Sequence, residues 1–318
     1  MFRFRWRGSG RKRASSEGTT VRRVRSVEES MAESAQLEAV GLSASRNLHR
    51  AVMQGGKPGR SIADALHGSW LGHPLHPPLT DVTIGAWTLG AVLDAVGELT
   101  DNDSARRGGD FLAAIGTLAA APVMAGGLAD YSTVPRRAAA PATLHGLLNA
   151  TSTVLYIYSL RDRRHGRRRR GLLLSGTALV VSMFSAWLGG ELVFRYRVGV
   201  SHADSFSDLN DWTPVCRDAE IAEQVAKRAE VHGKPVLLYR SAGRLHAIGA
   251  TCSHDGAPLD EGTFSGCQVQ CPRHHSVFDL GSGEVVHGPA TQPQPRFETR
   301  LRNGYVEIRP KRLAREPA

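Results

Sequence analysis

Three stretches of this chain contain no Asp, Glu, Lys or Arg: residues 111–129, 138–160 and 171–190. Each is close to the roughly 20 residues that an α-helix needs to cross a bilayer core. A fourth run, 79–96, is apolar except for Asp81 and Asp94 near its ends. The pattern predicts four transmembrane helices within 61–203. Their Gly, Ala and Ser content, as in Ala-Ala-Ala-Pro-Val-Met-Ala-Gly-Gly at 119–127, suits close helix packing in lipid. Pro122 is expected to kink the second helix.

Past residue 204 the period changes. Segments 235–240, 244–249, 296–301 and 305–309 are short, β-rich and bounded by Gly, Asn or Pro. They predict a small antiparallel barrel or sandwich over 211–310, with long loops at one tip. Residues 219–227 are the one helical-looking patch there. The fold class is therefore multi-domain: an α-helical four-transmembrane-helix bundle followed by an all-β domain. A segment at 204–210 reads as a linker, and 311–318 as a tail. Residues 1–60 form a basic N-terminal region. Within it, 1–30 are Arg- and Ser-rich and read as disordered, and 28–53 read as a surface amphipathic helix.

Mean hydropathy is mildly negative, because a polar tail and a polar β domain offset the apolar runs. The 318 residues carry 40 Lys and Arg against 30 Asp and Glu, a net charge of +10. The basic start suits contact with anionic lipid, and no nucleic-acid partner is expected. No apolar region follows the first basic residues, so no signal peptide is expected. The lipid bilayer is the first expected partner, and the place is the cytoplasmic membrane, in several passes. The 161–170 loop holds seven arginines. Such a loop is cytoplasmic by the positive-inside rule, which puts the β domain outside. The long basic N-terminal tail must share the side of the β domain in a four-span array, which argues the other way, so the side stays open.

The chemistry lies in Cys252-Ser-His254, then sixteen residues, then Cys271-Pro-Arg-His274. A 2Fe-2S centre with two thiolates on one iron and two neutral imidazoles on the other needs one Cys and one His from each of two tight loops. C-x-H and C-x-x-H supply that. Zinc sites also mix these residues, but usually as C-x-x-C and H-x₃₋₅-H.

Here the chain resembles the Rieske ferredoxin-like family, over about 211–310. Cys271-Pro-Arg-His-His-Ser-Val-Phe-Asp is similar to that family's C-P-x-H-G-S-x-F-D loop, and Gly281 to Glu284 and Gly288-Pro-Ala290 to its G-x-G-E…G-P-A tail. The resemblance implies Cys252, His254, Cys271 and His274 as ligands of a Rieske-type 2Fe-2S cluster. His275 stands where the family has Gly. Its side chain reads as solvent-facing, and it adds a Cβ where φ is expected to be positive. Ala257 and Arg273 occupy the positions of a disulfide found beside the cluster in respiratory relatives, so the likeness is to the ferredoxin or oxygenase subtype. Ser276 is placed to hydrogen-bond a cluster sulfur, and Phe278 replaces the Tyr of high-potential relatives. Cys216 and Cys267 read as spare, with Cys267 a buried neighbour of the cluster by strand alternation.

The membrane part resembles a family of small four-helix membrane proteins of unassigned function, over about 65–200. The match lies in Leu71-Gly-His73-Pro-Leu-His76-Pro, Gly127-Leu-Ala-Asp-Tyr131, Leu144-His145-Gly-Leu-Leu-Asn149 and Leu188-Gly-Gly-Glu191-Leu-Val-Phe-Arg195. Up-and-down topology gathers His73, His76, Asp130, His145, Glu191 and His202 on the side of the β domain. Such residues are candidates to hold haem, a metal or a quinone. The plainer reading is that His73 and His76 cap a helix and His145 bonds a neighbouring one.

No Ser/His/Asp set, phosphate loop or nucleotide fingerprint accompanies these motifs. The reading is a membrane-anchored one-electron carrier between a reductase, quinol or haem donor and an unnamed acceptor. Two alternatives stand beside it: a membrane oxidoreductase whose helices bind haem or quinone, and a redox sensor.

Overall fold

The computed structural model describes residues 34–311; the expected disorder of 1–30 and residues 312–318 of the expected tail lie outside them. Among the described residues six α-helices come first: α1 (Ala35–Gln54), α2 (Gly56–His67), α3 (His76–Leu99), α4 (Asp103–Tyr131), α5 (Ala139–Arg164) and α6 (Arg168–Phe194). Ser34 caps α1 by accepting from the Leu37 N–H at 3.3 Å, and Asn102 caps α4 by accepting from Ser104 and Ala105. The expected amphipathic helix at 28–53 is thus α1 from residue 35 onward.

Short connections make α3/α4 and α5/α6 antiparallel hairpins. Their inward residues are small. On α4 the buried stripe is Ala105, Gly109, Ala113, Gly116, Ala120, Val123, Gly126 and Ala129. On α6 it includes Gly171, Ser175, Ala178, Ser182 and Ser185. A Cβ at Gly116 would collide with Trp87, whose ring stacks on Tyr156 at 4.1 Å between centroids. The large apolar side chains point outward instead; Leu118, Leu173 and Val180 are each at least 70% exposed. Small inside and large outside suits a lipid surround, where burying Leu against Leu gains nothing over Leu against acyl chain.

Three helices, α3, α4 and α6, are long and apolar enough to cross a membrane. The expected fourth span, α5, falls outside this group, because it carries His145, Asn149 and a run of Thr and Ser that lower its hydropathy, then Arg161, Asp162, Arg163 and Arg164 at its end. Pro122 lies inside α4, and the helix continues through it. The basic 161–170 loop partly turns inward. Arg163, with 2% of its side chain exposed, reaches Asp94 and Asp110 at 2.7 Å each, and Arg168 reaches Asp94, Glu98 and Asp110.

Ten strands follow: β1 (Thr213–Arg217), β2 (Lys227–Val231), β3 (Lys234–Ser241), β4 (Arg244–Gly249), β5 (Thr263–Ser265), β6 (Gln268–Gln270), β7 (Val277–Asp279), β8 (Val285–His287), β9 (Arg296–Arg302) and β10 (Tyr305–Pro310). All pairings between these strands are antiparallel. One sheet has the order β1-β10-β9-β4-β3-β2 and the other β5-β6-β7-β8. The helical-looking 219–227 patch is only a 3₁₀ turn at Asp218–Glu220. β3 is buried on both faces. Val236 and Leu238 join a core with Val306 and Ile308, while Leu237 and Tyr239 join one with Val269 and Phe278 that lies under the cysteine loops. Segment 204–210 is not a free linker, since Phe206 packs edge-on against Phe297 at 4.8 Å and Leu209 is buried beside it.

A candidate cluster site at the domain junction

Cys252 and His254 lie on the loop between β4 and β5, and Cys271 and His274 on the loop between β6 and β7. The two loops close in the same way. The Cys252 N–H donates to Ala257 O and the Cys271 N–H to Ser276 O, both at 2.8 Å. Four residues beyond each Cys the chain turns back, as the N–H of Gly256 donates to Cys252 O and that of His275 to Cys271 O. Both turning residues have positive φ, +71° at Gly256 and +64° at His275. The left-handed conformation is open to Gly and strained for His.

This turn aims backbone amides at sulfur. The N–H groups of His254 and Asp255 donate to Cys252 Sγ, and those of Arg273 and His274 donate to Cys271 Sγ. The thiols are free and buried. Cys252 donates to Cys271, and this bond, with the two amides, lowers the Cys271 thiol to about 6; Cys252, the donor, is pushed well above its usual range. The rings of His254 and His274 meet edge-to-face at 4.9 Å. Burial pushes both imidazoles toward the neutral form, His254 well below its ordinary value and His274 down to about 4. Nδ1 of His274 is buried and has no hydrogen-bond partner. Nε2 of His254 lies 3.4 Å from Thr133 Oγ1. Two free thiols that receive N–H bonds, two neutral rings in contact and a buried His274 Nδ1 with no partner fit an iron-sulfur group.

The helical domain covers this tip. Arg137 donates to Asp255 at 2.8 Å, Asp64 accepts from both His287 Nδ1 and the Gly288 N–H at 2.8 Å, and Ser69 donates to Ala290 O. His275 does not face solvent as expected; its ring stacks on His49 of α1 at 5.7 Å. A cleft of about 420 Å³, counting its open mouth, remains between α1, α2 and the loops, lined by His49, Met53, Arg60, Thr133, His274 and Pro289 among others.

Other expected positions divide. Ser276 is fully buried and its Oγ accepts from the Ala290 N–H at 3.0 Å. Phe278 is fully buried in the core under the loops. Cys267 is only partly buried, with its Sγ 3.5 Å from His246 Nε2, and Cys216 lies in the other core.

His76 and His145 do meet, edge-to-face at 6.4 Å. Each acts as a tether between helices: His76 Nδ1 donates to Val123 O, and His145 Nδ1 donates to Ser185 O while its Nε2 accepts from Asn149. His73 stays on an exposed turn with its Nδ1 on Pro74 O, Glu191 only approaches Arg195 at 4.0 Å, and His202 Nε2 bonds Arg197 O. Among the described residues no group of three or more His, Cys, Asp or Glu is placed to hold a single metal ion, and the two cysteine loops would offer a pair of ligands to each iron. Asp130 is taken by His67, a buried histidine with no sequence signal. The Asp255–Arg273 pair could have been suspected, because each residue neighbours an expected ligand. Thr133, Arg137 and His49, over a hundred residues away, could not.

Residues 211–298 match the profile described as "Rieske [2Fe-2S] domain". Ferredoxin CarAc of Metapseudomonas resinovorans is 31% identical over 98 residues, which are 92% of that protein and 30% of this chain. The chain belongs to the Rieske [2Fe-2S] family. Its Rieske domain is also 30% identical over 100 residues to apoptosis-inducing factor 3 of Mus musculus, of which it spans only 16%. The solved ferredoxin of carbazole 1,9a-dioxygenase from Nocardioides aromaticivorans IC177 is 25% identical, with a TM-score of 0.31 over 32% of this chain and 100% of that one. Residues 72–202 match "Predicted membrane protein (DUF2231)". The chain thus joins a membrane-protein domain to a Rieske electron-carrier domain whose cofactor is a Rieske-type 2Fe-2S cluster.

Proposed function

We propose that this chain is a membrane-anchored one-electron carrier, with Cys252 and Cys271 as the thiolate ligands of one iron and His254 and His274 as the imidazole ligands of the other. The observation that carries this assignment is the unpartnered, buried Nδ1 of His274 beside two free thiols that already receive backbone N–H bonds. A bound cluster supplies reversible one-electron transfer. The chain's own residues do the rest. Amides 254, 255, 273 and 274 stabilise negative charge on sulfur, and burial keeps both rings neutral, the state that binds metal. His274 lines the cleft, so exchange with a redox partner, protein or quinone, takes place on that side.

The reading extends to the anchor. α5 joins α3, α4 and α6 as a fourth span of a domain over 61–203, held by Ser152 donating to Ala178 O of α6 at 2.6 Å. The Rieske domain, 211–310, sits at the His76 end of a multi-pass protein of the cytoplasmic membrane. Relatives named as ferredoxin components of dioxygenase systems support a protein oxidant or reductase as partner.

Iron and acid-labile sulfide counts, with EPR of the reduced full-length protein in detergent, test the assignment. Two irons and a Rieske-type signal that disappears in His274→Ala are expected. An all-cysteine type of signal, or iron that survives His274→Ala and Cys252→Ser, rejects it. A Soret band in the same preparation would favour haem in the helical domain instead.

A further inference from the structure

The turn between α4 and α5 touches the cluster loops more closely than an anchor requires. Asp255 follows His254, and only 6% of its side chain is exposed. Two guanidinium groups hold it. Arg273, which lies between Cys271 and His274 on the other loop, donates to its carboxylate at 3.1 Å and to its backbone O at 3.0 Å. Arg137 donates to it at 2.8 Å from the helical domain, 118 residues away in sequence. Arg137 is fixed in turn by donating to Tyr196 O at 3.3 Å, in the segment that follows α6. Thr133, on the same turn, puts its Oγ1 3.4 Å from His254 Nε2.

The charge count has a consequence. Asp255 with Arg273 alone is neutral, a bridge between the two ligand loops. Adding Arg137 leaves a net positive charge against a buried carboxylate at the edge of the site. One-electron reduction makes the site one unit more negative, so a fixed cation beside it favours the reduced form. We propose that Arg137 is a positioning and tuning residue through which the helical domain raises the reduction potential of the Rieske site. This rests on the ligand assignment above. It gives the membrane-protein domain a role in the redox chemistry.

The test is an EPR-monitored redox titration of the full chain in detergent. Two irons and a Rieske-type signal in the unaltered protein confirm the ligand reading independently, so its failure is seen before any variant is made. Arg137→Gln should lower the midpoint by about the equivalent of tenfold in the reduction equilibrium, or ~59 mV for one electron. Asp255→Asn should move it up, because two cations then face the site uncompensated. Arg137→Lys keeps the charge and should stay within about threefold of the unaltered protein. The Arg137→Gln shift should shrink with added salt, since 48% of the Arg137 side chain is exposed. Arg136→Gln is the control: its side chain is 82% exposed and paired with Glu38, and its substitution should leave the midpoint unchanged. Opposite shifts from Arg137→Gln and Asp255→Asn support the proposal, and if one of them fails to load a cluster, the sign of the other decides. An unchanged or raised midpoint in a loaded Arg137→Gln protein overturns it. So does an unchanged or lowered midpoint in Asp255→Asn, or an Arg136→Gln shift as large as that of Arg137→Gln.

Discussion

The two ligand loops share one backbone turn and differ in almost everything around it. Each closes with a Cys N–H on the carbonyl five residues ahead, a return bond from the fourth residue and two amides on sulfur. At the turning position the first loop uses Gly256 and the second uses His275. The first loop lies against the helical domain, through Thr133 and Arg137. The second faces the cleft, with His275 stacked on His49. A fixed pattern of hydrogen bonds places sulfur in both loops, while the neighbours decide what the outer side of each histidine meets. The strained His275 stays in the turn because another element holds its ring.

The largest effect comes from breaking the pairing itself. Cys252→Ser, Cys271→Ser, His254→Ala or His274→Ala should each bring bound iron to background and abolish the reduced-state EPR signal. His275→Ala should retain both. If His275→Ala empties the site and His274→Ala does not, the correspondence between the loops is out of register.

A smaller effect separates the two turning residues. Gly256→Ala has room, its nearest neighbour being His202 Cβ at 3.8 Å, so its cost is conformational, about 1–2 kcal/mol. His275→Gly removes a strain of similar size and loses the stack on His49, worth about 0.5–1.5 kcal/mol. It should therefore be close to neutral, within about 1 kcal/mol. Loss of cluster absorbance on heating would measure both. Equal destabilisation by the two substitutions would show that the positive φ of His275 carries no cost.

The smallest effect should come from His49→Ala. It takes away the ring over His275 without touching either loop's backbone, and about 0.5 kcal/mol of loop stability is expected to go with it. Faster hydrogen exchange at residues 274–276 than at 254–257 would report it. Equal acceleration in both loops would mean that α1 supports the whole tip and not the second loop alone.

Much of the candidate site was legible before any folding was considered. C-x-H and C-x-x-H are local spacings, and the chemistry of two irons narrows what they can mean. The positive φ at residue 275 followed from a Gly missing from a familiar motif. The strands at 235–249 and 296–309 and the apolar runs at 79–96, 111–129 and 171–190 are patterns of neighbouring residues, and they became β3, β4, β9, β10, α3, α4 and α6. The helix at 139–164 was also legible from its charge-free run, but it is less apolar than the other three, because a run free of charge can still be rich in His, Asn, Thr and Ser.

By itself, then, the sequence determined the paired Cys and His loops, the order of a helical and a β domain, and the lipid-facing character of three helices. Spacing and hydropathy act over a turn or two of chain, and single residues carry them. Tertiary structure alone decided that segment 204–210 joins a core, that His76 tethers its helix to Val123 O, and that His49 covers His275. It alone brought Arg137 to Asp255 and Thr133 to His254. These are single polar contacts between residues more than a hundred positions apart. They have no period and no motif, and they exist only because burying the faces between two domains brings a helix turn within about 3 Å of a cluster loop.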